Sequence, residues 1–158
     1  YLNILCQYNL PNKMKENLYL KDEQIKDFIE KIFYAYREIY NEPKKILSEH
    51  SLGVAHLKSL NLISKFHEIT ISQLLYKLKI TKQSLNRVLR ELKKIEVINY
   101  KKNNKDYRVK HVILTEKGKN LTNKIFLEQK KRIYKALQNS NSEAVLNFDN
   151  IIKKIING

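Results

Sequence analysis

The chain has 158 residues, of which 42% are hydrophobic, so it is long enough and apolar enough to bury a core of its own. Its formal net charge is +15, which points to a polyanionic partner or an anionic surface. A single cysteine excludes an intramolecular disulfide, no apolar run is long enough to cross a bilayer, and the first residues lack the apolar region of a signal peptide. We therefore expect a cytoplasmic protein.

The composition also argues against catalysis. The sequence has three glycines and neither a glycine-rich phosphate loop nor a nucleophile motif. The four histidines, His50, His56, His67 and His111, are scattered without metal-ligand spacing, and Cys6 has no neighbour of that kind. We expect no enzymatic activity, no cofactor and no metal site.

The chain opens with a mixed segment and a broad amphipathic helix. Residues 1–21 are either an arm that packs on a partner subunit or an ordered lead-in to the first helix. From Asp22 to the break near Pro43, apolar residues recur at helical spacing. The apolar stripe is too wide for one small domain to cover, so a second subunit is expected to cover part of it. A further helix is expected after Ser51, which we take as its N-cap.

Two short helices joined by a tight turn come next. Thr70 and Gln73 form a T-x-x-Q helix start, and Thr81 is expected to cap the second helix. In that helix Leu85, Val88, Leu89 and Leu92 recur at i, i+3, i+4 and i+7 and predict a buried face. The opposite face is basic and polar. This arrangement is typical of a helix-turn-helix.

A basic β-hairpin is predicted directly behind the second helix. Residues 98–102 and 107–114 are rich in β-branched and aromatic residues, and the polar residues 103–106 between them tolerate a positive φ. Residues 81–119 carry 12 Lys/Arg against 4 Asp/Glu, so a quarter of the chain holds about half of the net charge. A long helix capped by Thr115 and a final, strongly apolar helix complete the chain.

The hairpin and the residues behind it resemble a known family. The segment DYRVKHVILTEKG is similar to the wing signature of the MarR family, D-x-R followed by an apolar strand and L-T-x-x-G, and Asp106, Arg108, Leu114, Thr115 and Gly118 fall on that pattern. The resemblance covers roughly residues 22–157. It implies a mainly α fold with a small β-hairpin wing, a winged helix-turn-helix flanked by long N- and C-terminal dimerisation helices. Residues 51–115 are then the DNA-binding domain, and residues 22–50 and 116–158 the dimerisation region.

The predicted partner is double-stranded DNA, read by a homodimer. Arginine reads guanine edges and Asn or Gln reads adenine, so the residues expected to reach the major groove are Gln83, Ser84, Asn86, Arg87 and Arg90. Phosphate contacts are expected from Thr81, which is first a cap, and from Lys82, Lys93 and Lys94. The resemblance implies that Arg108 enters the minor groove while Asp106 holds it, with Lys101, Lys102 and Lys105 along the backbone. The alternatives are a solvated helix face and a surface Asp–Arg pair.

The resemblance also implies an effector, since many MarR-type proteins bind small aromatic or anionic ligands between the dimer helices and the winged helix. Tyr34, Tyr36, Arg37 and His56 are the candidates for such a pocket, against ordinary core and rim positions. Cys6 is the candidate for a redox switch, against an inert thiol.

Our hypothesis is a homodimeric regulator, repressing from a pseudo-palindromic operator and released by an effector or a redox signal. Two competing interpretations remain: a winged-helix module for protein–protein assembly and a non-specific nucleic-acid binder. Membrane binding by the final helix is a more distant one.

Overall fold

The computed structural model describes residues 21–102 and 109–158. The predictions for Cys6, Lys105, Asp106 and Arg108, and for the arm at residues 1–20, therefore lie outside the described residues. Two units are distinguished, Tyr1–Ile39 and Tyr40–Gly158. In chain order the described elements are α1 (Asp22–Asn41), α2 (Lys44–Glu49), α3 (Val54–Lys65), β1 (Ile69–Thr70), α4 (Ile71–Leu78), α5 (Lys82–Lys94), β2 (Ile98–Lys102), β3 (Lys110–Leu114), α6 (Glu116–Gln138) and α7 (Ser142–Asn157). The fold is mainly α with a small antiparallel sheet, as predicted.

Helix α1 forms most of the described part of the first unit. It begins at Asp22, within one residue of the start expected from Asp22 as an N-cap, and ends two residues before Pro43. None of its residues is buried. Its exposed apolar side chains are Ile25, Phe28, Ile29, Phe33, Tyr34 and Tyr36.

The second unit is built around one core in which the apolar faces of its helices meet the sheet. The side chains that are almost completely buried are Leu57, Leu60, Ile63, Ile69, Leu74, Leu85, Leu89, Leu92, Val97, Ile98, Val112 and Ile125. The four leucine and valine positions predicted for the buried face of α5 are all buried, which confirms the period of that helix. In α6 only the first turns reach this core, through Leu121 and Ile125.

The sheet has the strand order β1-β3-β2 among the described residues. Strands β2 and β3 pair antiparallel from Ile98 opposite Leu114 to Lys102 opposite Lys110, which confirms the hairpin. Strand β1, with Ile69 opposite Val112, was not predicted, because two residues are too few to show an alternating pattern.

The expected cap at Ser51 was wrong. The N-cap of α3 is Gly53, and its N–H donates to Nδ1 of His56 at 3.0 Å. Ser51 lies in the turn after α2 with φ of 55°. Its hydroxyl is therefore two residues too early to serve as the N-cap.

The turn between α5 and β2 lies against the start of α6. A Cβ placed on Gly118 would lie 1.9 Å from the carbonyl oxygen of Val97. Thr115 caps α6 by accepting the N–H of Gly118 at 3.0 Å, and its hydroxyl donates to the carbonyl of Glu96 at 2.7 Å. The threonine and glycine of the L-T-x-x-G segment thus fasten α6 to the entry of the hairpin.

Candidate nucleic-acid interface

The helix-turn-helix is fixed by side-chain caps at both helix starts. Thr70 accepts the Gln73 N–H at 3.2 Å, and the Gln73 side chain accepts the Thr70 N–H at 2.9 Å, which is a complete capping box. Lys79 ends α4 with φ of 50°, so the chain turns in the left-handed region. Thr81 then caps α5, accepting the N–H of Ser84 at 3.2 Å. The start of each helix and the turn between them are therefore defined by specific residues.

The outer face of α5 carries the residues predicted to read DNA. All are exposed and lie opposite the buried leucines: Lys82, Gln83, Ser84, Asn86, Arg87, Arg90, Lys93 and Lys94. The Thr81 hydroxyl donates to the Ser84 hydroxyl at 2.9 Å, so the two side chains at the start of the helix are already ordered. The structure brings this set together on one surface of one helix.

An acidic residue lies within this basic surface and has two partners. Glu91 accepts from Nε of Arg87 at 3.0 Å and from Nε2 of His56 at 2.7 Å. The hydrogen bond from Arg87, followed by that from His56, lowers the pKa of Glu91. The Arg87–Glu91 pair could have been read from the i,i+4 spacing. The contact with His56 could not, since 35 residues separate it from Glu91.

The C-terminal end of α5 is joined to the hairpin. Nζ of Lys93 donates to Oδ1 of Asn99 at 2.9 Å. This oxygen also accepts the backbone N–H of Tyr100 at 2.9 Å. Lys93 is therefore partly engaged in holding the hairpin beside the helix.

The hairpin places lysines on its exposed surface. Lys101 forms an ion pair with Glu68, and this contact lowers the pKa of the Glu68 carboxyl. Lys102 lies directly opposite Lys110 at the last described pair of the ladder. Like charges in that position repel each other, and an anion nearby would relieve the repulsion. Lys110 was missed in the sequence because its partner is visible only once the register is known.

The residues predicted to form an effector pocket lie in both units. On α1, the guanidinium of Arg37 stacks 5.0 Å from the ring centre of Tyr34 and pairs with Glu38, and Tyr36 is exposed. His56 lies in the second unit and is 9% exposed, with both ring nitrogens engaged. Their assignment to a ligand stays a prediction.

A separate cavity of about 520 Å³ lies between α3, β3 and α6 in the second unit. Its lining residues are Ile63, Ser64, His67, Ile113, Leu114, Lys119, Thr122, Asn123 and Phe126. Sequence reasoning missed it, because its wall comes from three elements that meet only in the fold.

Within residues 21–102 and 109–158, no three His, Cys, Asp or Glu side chains are grouped so as to hold a metal ion. Over the same residues, no helix has the length and apolar character needed to cross a membrane.

No protein-family model matches this chain. A curated protein does: the chain is 34% identical over 139 residues to the HTH-type transcriptional regulator PetP of Rhodobacter capsulatus, covering 88% of this chain and 84% of PetP. The many solved structures with this fold include MarR-family regulators. The chain belongs to the MarR family. It is a winged helix-turn-helix, DNA-binding transcriptional regulator.

Two solved structures illustrate the fold. The FabT protein of Streptococcus pneumoniae, crystallised in complex with DNA, superposes with a TM-score of 0.71 at 19% identity, covering 87% of this chain and 96% of FabT. A mutant of MarR from E. coli, complexed with operator DNA, gives a TM-score of 0.63 at 21% identity, covering 84% of this chain and 95% of MarR. At these identities the similarity establishes a shared fold.

Proposed function

We propose that the chain binds a pseudo-palindromic DNA site as a homodimer, with α5 of each copy in the major groove. The observation that carries the proposal is the outer face of α5, which is exposed, basic and fixed at its start by the Thr81 cap. A duplex offers base edges to such a face and phosphates to its flanking lysines. The DNA complexes of FabT and MarR, which share this fold, support the proposal.

Each residue predicted to contact DNA has a role in this proposal. Base edges are read by Gln83, Ser84, Asn86, Arg87 and Arg90, and phosphates are contacted by Thr81, Lys82, Lys93, Lys94, Lys101 and Lys102. Lys110 joins the phosphate contacts because it lies opposite Lys102. Arg108, with Asp106 and Lys105, remains the proposed minor-groove contact, on residues outside the described ranges.

The apolar surfaces of the terminal helices support the dimer. Neither α1 nor α7 has a buried residue, although each carries a row of large apolar side chains. A second copy is the partner we propose for them. A pair of recognition helices about one DNA turn apart would then read two half-sites. A single short helix contacts too few base pairs for high specificity.

The test is binding of the purified protein to its own upstream intergenic DNA against a shuffled duplex at several salt concentrations. We expect a preference of roughly 10³ or more and protection of two half-sites. Asn86→Ala and Arg87→Ala should each lower discrimination by about 1–3 kcal/mol where they read a base. Equal affinity for both duplexes, collapsing together with salt, would instead favour the non-specific binder.

A small aromatic or anionic effector is the second part of the proposal, and the cavity between α3, β3 and α6 is the site that supports it. Its apolar wall includes Ile63, Ile113 and Phe126, and Lys119, whose Nζ pairs with Glu116, is also among the lining residues. We propose that such a ligand relieves repression. Aromatic carboxylates such as benzoate should raise the melting temperature of the wild type, and Phe126→Ala should abolish that shift.

A further inference from the structure

His56 is connected to the DNA-reading face although it lies on a different helix. It stands in the first turn of α3 and is 9% exposed. Its Nδ1 accepts the N–H of Gly53 at 3.0 Å, so in the neutral ring the proton resides on Nε2. That nitrogen donates to Oε2 of Glu91 at 2.7 Å. The ring is thus held by the backbone on one side and holds a carboxylate on the other.

Glu91 also binds Arg87, so the contact from His56 extends to a second side chain of α5. Its second oxygen, Oε1, accepts from Nε of Arg87 at 3.0 Å, while the Arg87 side chain is 77% exposed. Arginine placed N-terminal to glutamate is the weaker orientation of an i,i+4 pair, and such exposed pairs contribute little. Here, however, the carboxylate is already fixed by a side chain from another helix. Less rotamer freedom remains to be lost when Arg87 engages it.

We propose that His56 and Glu91 are positioning residues, which hold the guanidinium of Arg87 so that its two Nη groups face the DNA. The inference rests on the proposed function, in which Arg87 reads a base edge. Because Nε is bound to Glu91, the two Nη groups of Arg87 stay available for another acceptor. Neither Nη group has a partner in the part of the chain that the structure describes. Two parallel N–H donors match O6 and N7 of guanine.

The structure offers a matched comparison in Arg90. It lies three residues further along on the exposed side of α5, and among the described residues it has no acidic partner. Positioning by Glu91 should therefore affect the base read by Arg87 and leave the base read by Arg90 unchanged.

Electrostatic repulsion and positioning predict different effects of removing Glu91. A carboxylate near the DNA surface repels phosphates, so its loss alone would raise affinity for every duplex. If it also positions Arg87, its loss lowers discrimination at one base pair while non-specific affinity stays constant or rises. General damage to the fold would weaken binding to all duplexes instead.

The experiment uses a duplex selected by the full wild-type chain from a randomised library. Every base pair of that duplex is then varied singly, and discrimination is measured for R87A, R90A, E91A, H56L and the double variant E91A/R87A. Melting curves verify that each variant is folded. Because Glu91 lies at the surface, E91A tests the pair by itself if H56L proves unfolded.

We expect E91A and H56L to lose roughly fivefold or more of the discrimination at the base pair where R87A loses it. They should retain discrimination at the base pair sensitive to R90A, and E91A/R87A should lose no more than R87A alone. Unchanged discrimination in E91A, or an equal change at every base pair, would overturn the inference while the proposed function stands. A wild type that selects no sequence, or an R87A variant with wild-type discrimination, would overturn the role proposed for Arg87 and the inference with it.

Discussion

The winged helix and the terminal helices differ in how far their apolar side chains are buried within the chain. Leu85, Leu89 and Leu92 of α5 are almost fully buried within their own chain. Helices α1 and α7 are also amphipathic, yet neither has a buried residue. On α7, for example, Leu146 and Ile151 are exposed. Because exposed apolar surface of this extent is costly in water, we propose that a partner covers the terminal helices, whereas the central region, from α3 to the start of α6, buries a core of apolar side chains within the chain.

Some of the ion pairs differ in a similar way. In the central region two of them join separate parts of the fold, His56 with Glu91 and Lys101 with Glu68, while Arg87 and Glu91 pair within α5. In the terminal helices, Lys31 pairs with Asp27 and Lys153 with Asp149, each within one helix. The first kind fixes the position of one element against another, whereas the second stabilises only the helix that contains it. The first two contacts therefore hold α5 and the hairpin against neighbouring parts of the central region.

The largest effect is expected from Gly118→Ala, which tests how tightly the central region is packed. The added Cβ would meet the carbonyl of Val97 at 1.9 Å, and backbone atoms cannot move aside as a flexible side chain can. We expect a loss of about 3 kcal/mol or more in the free energy of unfolding, measured by urea denaturation. Gly53→Ala is the control, since nothing lies within 4 Å of its added Cβ. Equal losses from both changes would contradict the close approach.

A charge on α7 should weaken dimerisation and leave the central region unaffected. Ile151→Asp places a carboxylate on the exposed apolar face, and we expect the dimer dissociation constant to rise roughly 30-fold or more. The helix content of the whole protein should fall by no more than α7 contributes, because Ile151 is not part of the core. Sedimentation equilibrium gives the first quantity and circular dichroism the second.

Asn150→Asp is the matched control for that change, since it adds the same charge at the neighbouring position on the same helix. An equal effect of the two substitutions would argue that net charge, and not the apolar face, governs association. A monomeric wild type would remove the homodimer from the proposed function.

Thr115→Val should have a smaller effect on the central region. Valine keeps the shape of the side chain but cannot accept the N–H of Gly118 or donate to the carbonyl of Glu96. Loss of a helix cap together with a second hydrogen bond should cost about 1–2 kcal/mol of unfolding free energy. Thr115→Ser, which retains both bonds, serves as the control. A Val variant as stable as the Ser variant would show that the cap does not contribute to the free energy of unfolding.

The sequence predicted several helix starts and the buried face of α5 from local patterns, although it placed the cap of α3 at Ser51 and did not predict α2. The helix starts at Thr70 and Thr81 depend on side chains three residues away, and the buried face of α5 on a period of 3.6 residues, so both were confirmed. Features that require distant residues to meet were not predictable. Neither the β1 pairing nor the His56–Glu91 contact leaves a signal in the local sequence.

The confirmed parts of the helix-turn-helix show the same difference between features set by local patterns and features that need distant residues. The i,i+3 and i,i+4 pattern determines which residues of α5 face outward, and hence that Arg87 is exposed. It does not determine the partners of the guanidinium: Nε of Arg87 donates to Glu91, whose other oxygen is bound by His56 of α3. The opposition of Lys102 and Lys110 likewise depends on the strand register. The sequence therefore predicts which residues are exposed on this surface. The contacts between their side chains depend on the fold.

The smallest effect concerns acid, and it tests whether the ion pairs between elements stabilise the central region. Lys101 lowers the pKa of Glu68, so the folded state favours the ionised carboxyl. The resulting stabilisation is present above the ordinary value of 4.5 and is lost as the pH falls through the lower pKa of the folded protein. Glu68→Gln should therefore lose less stability on acidification than the wild type, and Lys101→Met should behave like it. Urea midpoints measured from about pH 6 downwards would reveal the difference, and parallel curves for all three proteins would mean that the pair joining β2 to Glu68 contributes nothing to folding.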